Sequence, residues 1–120
     1  MRTARKGRFG ALFCLLLAGL VHAQATWDDV RRSAIASPEA AERIIARKMR
    51  EDWPGFLALL AKHPGDDAFF EVVLRSINPT LGAADLHEID ALAHKSCTSA
   101  QRAQCDAIAK EAATALKDAQ

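Results

Sequence analysis

Tyrosine is missing from this chain of 120 residues, and so are runs of β-branched residues. Strands draw on such residues, so no sheet is expected. The six glycines never cluster, which removes the phosphate cradle of nucleotide-binding loops. His-Glu-x-x-His, Gly-x-Ser-x-Gly and Cys-x-x-Cys are all absent. With them go familiar signatures of zinc peptidases, serine hydrolases and thiol-redox proteins. Acyl transfer needs a nucleophile, a base and an orienting group, and none of Ser33, Ser37, Ser76, Ser96 and Ser99 sits in a nucleophile elbow. An enzyme is not expected, and no cofactor is implied.

Long apolar runs are lacking too. The run over residues 11–21 has 11 residues, against about 20 needed to span a bilayer. Arg2, Arg5, Lys6 and Arg8 precede it, and Ala23, Gln24 and Ala25 follow as a small-x-small cleavage pattern. That order reads as a secretory signal peptide over residues 1–25, cut after Ala23 or Ala25; a retained anchor is the competing reading. Cys14 lacks the small residue before it that a lipobox needs, so a soluble export is expected rather than a lipoprotein. Four of the 16 basic residues and none of the 15 acidic ones lie in the leader, so residues 26–120 carry 12 against 15, a net charge of −3. A mildly acidic domain is a poor partner for nucleic acid or, after cleavage, for an anionic membrane.

Residues 26–120 make one domain of about 95 residues, a size at which a core profits from a covalent staple. Cys97 and Cys105 are the only cysteines in it. In an oxidising compartment such a pair is a disulfide. A metal pair or a redox pair would more often show Cys-x-x-Cys spacing with further ligands nearby. On one helix, cysteines eight apart would lie about 12 Å from each other. Bonded cysteines need Cα atoms within about 7 Å, so the chain must double back near residues 98–101. The regular helix after that turn is expected to start near Ala100.

What remains is alanine-rich and helical in period, punctuated by Pro38, Pro54, Pro64 and Pro79. Thr26 caps a first helix, with Trp27, Val30 and Ala34 on one face. Ser37 and Pro38 start a second, striped by Ala41, Ile44, Ile45 and Met49. A third follows Asp52 and turns Phe56, Leu57, Leu59 and Leu60 inward. Asp66 caps a fourth, apolar nearly all round and so expected at the centre. Leu86, Ile89 and Ala93 line a fifth; Cys105, Ile108, Ala112, Ala115 and Leu116 line a sixth. The fold class is all-α: a small irregular bundle of about six short helices, its terminal antiparallel hairpin closed by the disulfide. A HEAT-like stack of helical pairs is the other arrangement, although the proline spacings of 16, 10 and 15 are uneven for a repeat.

Three groups of polar residues invite a functional reading. His87, Asp90 and His94 fall on one side of the fifth helix and could share a metal in a metal-binding or small enzymatic domain; a polar helix edge is the plainer account. Arg43, Arg47 and Arg50, with Lys48 beside them, make a basic helix face able to dock an acidic partner, or a solvated face with Glu39 and Glu42 as local partners. The proline-set joins hold Trp53, His63, Asp66, Asp67, Asn78 and Thr80. Stiff loops lose little entropy on binding, which makes these six the candidate partner-binding residues, with Trp53 as the anchor if exposed. The paired acids Asp28–Asp29 and Asp66–Asp67 sit at helix starts, where the helix dipole accounts for them.

The stretches SPEAAERIIARKMREDWPGFLALLAKHPGDDAFFEVVLRSINP and KSCTSAQRAQC, behind a leader, resemble in profile the periplasmic immunity proteins of type VI secretion amidase effectors. The resemblance covers most of residues 26–120 and carries no specific motif. It implies a periplasmic, all-helical protein that binds and blocks a cognate peptidoglycan amidase. The partner would be that secreted effector, and a homodimer is also compatible with the sequence.

Overall fold

A computed structural model describes residues 26–119. The signal-peptide reading and its cleavage site lie outside the described residues. Among the described residues six α-helices follow one another: α1 (Trp27–Ala36), α2 (Pro38–Glu51), α3 (Trp53–Lys62), α4 (Asp67–Ser76), α5 (Ala83–Lys95) and α6 (Arg102–Ala119). Single 3₁₀ turns, Pro79–Leu81 and Ser99–Gln101, precede α5 and α6, and no strand occurs among the described residues. None of the described helices is long and apolar enough to cross a membrane.

Local chemistry sets the helix ends. Thr26 Oγ1 accepts from the Asp29 amide at 3.1 Å, and the Asp29 carboxylate accepts from the Thr26 amide, which is a full capping box. Ser37 is the only residue between α1 and α2. Its amide closes α1 on Ser33 O at 2.7 Å and its carbonyl accepts from Ala41, but its hydroxyl caps nothing. Pro38 at the first position of α2 favours the start in another way: it presets φ and brings no N–H that would need a cap. Asp52 likewise separates α2 from α3 alone, and its carboxylate accepts from the Gly55 amide at 3.1 Å. The break falls on Asp52 rather than on the residue before Pro54, because proline is tolerated in a first helical turn. Asp66 caps α4 through the Phe69 amide at 3.2 Å.

The centre of the bundle differs from expectation. Among the described helices α2, not α4, packs on the most other helices: α1, α3, α4 and α5. Its inner side is Ala41, Ile45, Ala46 and Met49, all buried, and the alanines let other helices approach closely. α4 leaves Phe70 and Leu74 only half-buried, so its apolar surface is not enclosed all round. Ile44, expected in the buried stripe, is 43% exposed. It sits one residue off that stripe, about 100° around the helix from Ile45.

α4 packs on α2 and α1 rather than pairing with α3, so the chain is an irregular bundle and not a stack of sequential pairs. α5 and α6 form the most extensive helix–helix interface, built on Leu86, Ile89 and Ala93 against Cys105, Ile108 and Ala112. The Cys97–Cys105 disulfide closes this hairpin, with Cα atoms 6.3 Å apart. The chain reverses over the 3₁₀ turn Ser99–Gln101, and α6 begins at Arg102, two residues later than expected. That turn uses the segment read as the first turn of the helix.

Both tryptophans belong to the core. Trp27 and Trp53 flank Phe56, with ring centroids 5.4 and 5.3 Å away. Each indole N–H has a partner, as buried indoles generally do. Trp27 Nε1 donates to Asp52 Oδ2 at 3.2 Å and Trp53 Nε1 to the Ser96 carbonyl at 2.9 Å. The second bond ties α3 to the loop that carries the disulfide. Gly55 makes room for the first: a Cβ there would overlap the Asp52 carboxylate and lie 2.9 Å from Trp27 Nε1.

Candidate functional site

The six proposed partner-binding residues are placed in three different settings. Trp53 is 3% exposed, so it is a core residue and not an exposed anchor. Its position before Pro54 suggested a loop; the α3 helix instead begins there and turns the ring inward. His63 and Asp66 are half-buried in an ionic contact with α1. Lys62 Nζ stands 2.8 Å and His63 Nε2 3.4 Å from the Asp28 carboxylate, and Arg31 Nε stands 2.5 Å from Asp66 Oδ2. The Lys62 and His63 hydrogen bonds hold the Asp28 carboxyl below its ordinary value. Desolvation pushes the Asp66 carboxyl up, but hydrogen bonds from Arg31 and the Phe69 amide, with the Arg31 and His63 charges, outweigh it and leave it lowered. Asp66 is thus occupied as cap and ion-pair partner, while Asp67 beside it is exposed.

Asn78 and Thr80 close their own turn. Asn78 Oδ1 accepts from the Thr80 amide at 3.0 Å and from the Thr80 hydroxyl, and Asn78 Nδ2 donates to Arg75 O at 3.0 Å. His87, Asp90 and His94 do not converge. His94 Nδ1 lies 3.0 Å from the Asp90 carbonyl and 3.3 Å from its carboxylate, and His87 is exposed two helical turns from His94. Among the described residues, no group of three histidine, cysteine or acidic side chains could hold a metal ion. Ser76 is buried, its hydroxyl donating to Val73 O at 2.6 Å within α4.

A concave site forms elsewhere, where the two quoted stretches meet. An open groove of about 420 Å³ runs between the outer side of α3 and the loop after α5. One wall is Trp53, Pro54, Leu57, Ala58 and Ala61; the other is Ser96, Thr98 and Gln101. Pro54, Ala58 and Ala61 are exposed at i, i+4 and i+7, one continuous strip. None of the lining side chains is ionisable, so the groove offers apolar contact bordered by hydroxyls and an amide. Both walls are fixed. Asp52 and Pro54 set the start of α3, and the disulfide, the Trp53–Ser96 bond and the Thr98 hydroxyl contact to Gln101 hold the loop.

Sequence reasoning missed this groove. The helical period assigned Leu57 to the interior and left Ala58 and Ala61 without a role. The usable signal was that positions 54, 58 and 61, one exposed strip of α3, carry proline and alanine rather than charge. Compared with protein-family models, curated proteins and solved structures, the chain matches none.

Proposed function

We propose that this chain is a periplasmic inhibitor, an immunity protein, that binds a cognate secreted peptidoglycan amidase and blocks its active site. The observation that carries this reading is the groove. A preset proline-started helix and a disulfide-clasped loop face each other across an apolar cleft with no ionisable lining residue. Such a site is suited to take up an apolar projection from a protein at little entropic cost. Inhibition is then steric. With a loop of the amidase seated against Pro54, Ala58 and Ala61, the body of the inhibitor covers the enzyme's cleft and excludes peptide substrate. Export supplies the oxidising conditions that the Cys97–Cys105 bond requires.

The test is inhibition. Purified protein is titrated against secreted cysteine amidases, with peptidoglycan hydrolysis as the readout, and stoichiometric loss of activity is expected for the cognate enzyme. Ala58→Asp with Ala61→Glu, both at exposed positions, abolishes inhibition while shifting stability by less than about 1 kcal/mol. An amidase that keeps full activity beside excess inhibitor is not the partner. Inhibition that survives the double substitution removes the groove from the mechanism. Fractionation with mass spectrometry of the N-terminus checks the compartment: a cytosolic chain that keeps its first 25 residues contradicts the proposal.

A further inference from the structure

The basic face of α2 resolves into two kinds of cation. Lys48 lies over the Trp27 ring, Nζ 5.4 Å from the centroid. Arg50 is half-buried between Asp85 at 3.3 Å and Glu88 at 3.6 Å, which fastens α2 to α5. Both are structural. Of the described arginines, Arg31, Arg32, Arg50, Arg75 and Arg102 all pair with a carboxylate. Arg43 and Arg47 alone do not, and both are exposed. Glu39 stands four residues before Arg43 and Glu51 four after Arg47, yet neither closes an ion pair among the described residues. Ile44, one of only two exposed large hydrophobic residues among those described, follows Arg43 in the chain and lies about 60° around the helix from Arg47, beside the arginine pair.

We propose that Arg43, Ile44 and Arg47 form a docking surface for an acidic protein segment, one that presents two carboxylates a helical turn apart around an apolar side chain. The arginines are separated by about 6 Å along the helix axis. Each guanidinium offers a planar fork of donors that a carboxylate meets bidentately, and arginine beside an apolar centre is a frequent hot-spot composition. The charge is local and runs against the net −3 of residues 26–120, so it selects for a partner of opposite sign at this spot. Glu39 and Glu51 at the two ends of the stripe would repel a flat anionic lipid surface, and one isoleucine gives little insertion. A discrete acidic segment fits between them. None of the three residues lines the α3 groove, so the inference stands apart from the amidase reading.

The probe is an alanine-based helical peptide with glutamates at i and i+4 and leucine at i+3, which places its groups opposite Arg47, Arg43 and Ile44 in an antiparallel approach. Nuclear magnetic resonance of the labelled full chain follows the Ile44 methyls and the arginine side-chain N–H signals. Saturable shifts confined to Ile44, Arg43 and Arg47 are expected, weakening with salt. Arg43→Glu with Arg47→Glu weakens binding by about tenfold or more, and Arg102→Glu leaves it unchanged. The proposal is overturned if the glutamine version of the peptide binds equally, or if all arginines shift alike. Tighter binding to phosphatidylglycerol vesicles than to the peptide assigns the surface to a membrane instead. A concentration-dependent dimer lost in the double variant assigns it to a second copy of the chain, and either result overturns the proposal.

Discussion

Breaking the Cys97–Cys105 bond tests how the groove wall is held. The bond closes a ring of nine residues, and the loop-entropy relation then gives about 2.6 kcal/mol of destabilisation at 25 °C when it is opened. For a domain of this size, each kcal/mol moves the melting temperature by about 4–8 °C, so a fall of roughly 10–20 °C is expected. The hairpin should nonetheless stay folded, because Leu86, Ile89, Ala93, Ile108 and Ala112 remain buried between α5 and α6. Two perturbations separate clasp from packing. Reduction by a phosphine leaves every side chain in place. Cys97→Ala removes the half-buried partner and spares Cys105, which is fully buried and whose loss would add a cavity. Thermal melting by circular dichroism should give the same drop for both within about 1 kcal/mol. A drop below about 0.5 kcal/mol would refute the reasoning, since the join would then owe its stability to packing and the Trp53–Ser96 bond. Complete loss of helix on reduction would refute it from the other side.

Trp53→Phe keeps an aromatic ring beside Phe56 but deletes the donor to Ser96 O, which should cost about 1–2 kcal/mol by chemical denaturation and speed amide exchange over residues 96–101. Asp66→Asn preserves the cap on Phe69 and removes the charge facing Arg31, for a loss of about 1 kcal/mol; Asp66→Ala removes both, for about 2 kcal/mol, as read from urea midpoints. Asp28 and Asp66 have depressed folded-state values, so their contribution is whole above the ordinary carboxyl value of 3.8 and is lost as pH falls below it. A pH series of melting curves should therefore decline through that acid range, and less steeply in an Asp28→Asn, Asp66→Asn double variant. Gly55→Ala drives a methyl into the Asp52 carboxylate that caps α3 and receives the Trp27 indole; a loss of about 2 kcal/mol with a change in tryptophan emission is expected, and an unchanged melting curve would contradict the placement of Asp52.

The helices were legible because their signals are local. Thr26, Asp52 and Asp66 cap where their side chains can reach a following amide, and the period of Leu86, Ile89 and Ala93 marks a buried face without knowledge of its neighbour. The disulfide was legible because Cys97 and Cys105 are the only cysteines in a domain read as exported, and the chain reversal because one helix cannot bring positions 97 and 105 together. The centre of the bundle was not, because it depends on which faces small residues leave open, and Ala41 and Ala46 look like ordinary helix formers in a string. Ile44 shows the same gap: one position of phase decides between core and surface, and its neighbour Ile45 masks it. The groove was least visible of all. It is made by Ala58 and Ala61 on one side and Ser96 and Thr98 on the other, residues that carry no chemistry until the indole of Trp53 draws the two segments together.

Ser37 and Asp52 each separate two helices unaided, so α1, α2 and α3 share a single phase. A one-residue insertion within α2 would turn all that follows by about 100° around its axis and swing Phe56 away from Trp27. The join after α3 has room by comparison at Pro64 and Gly65, between the anchored His63 and Asp66, with Gly65 at a positive φ and open space around it. Length variation in this chain is therefore confined by its joints: α1 to α3 tolerate exchange of side chains but not of register, and additions belong after α3.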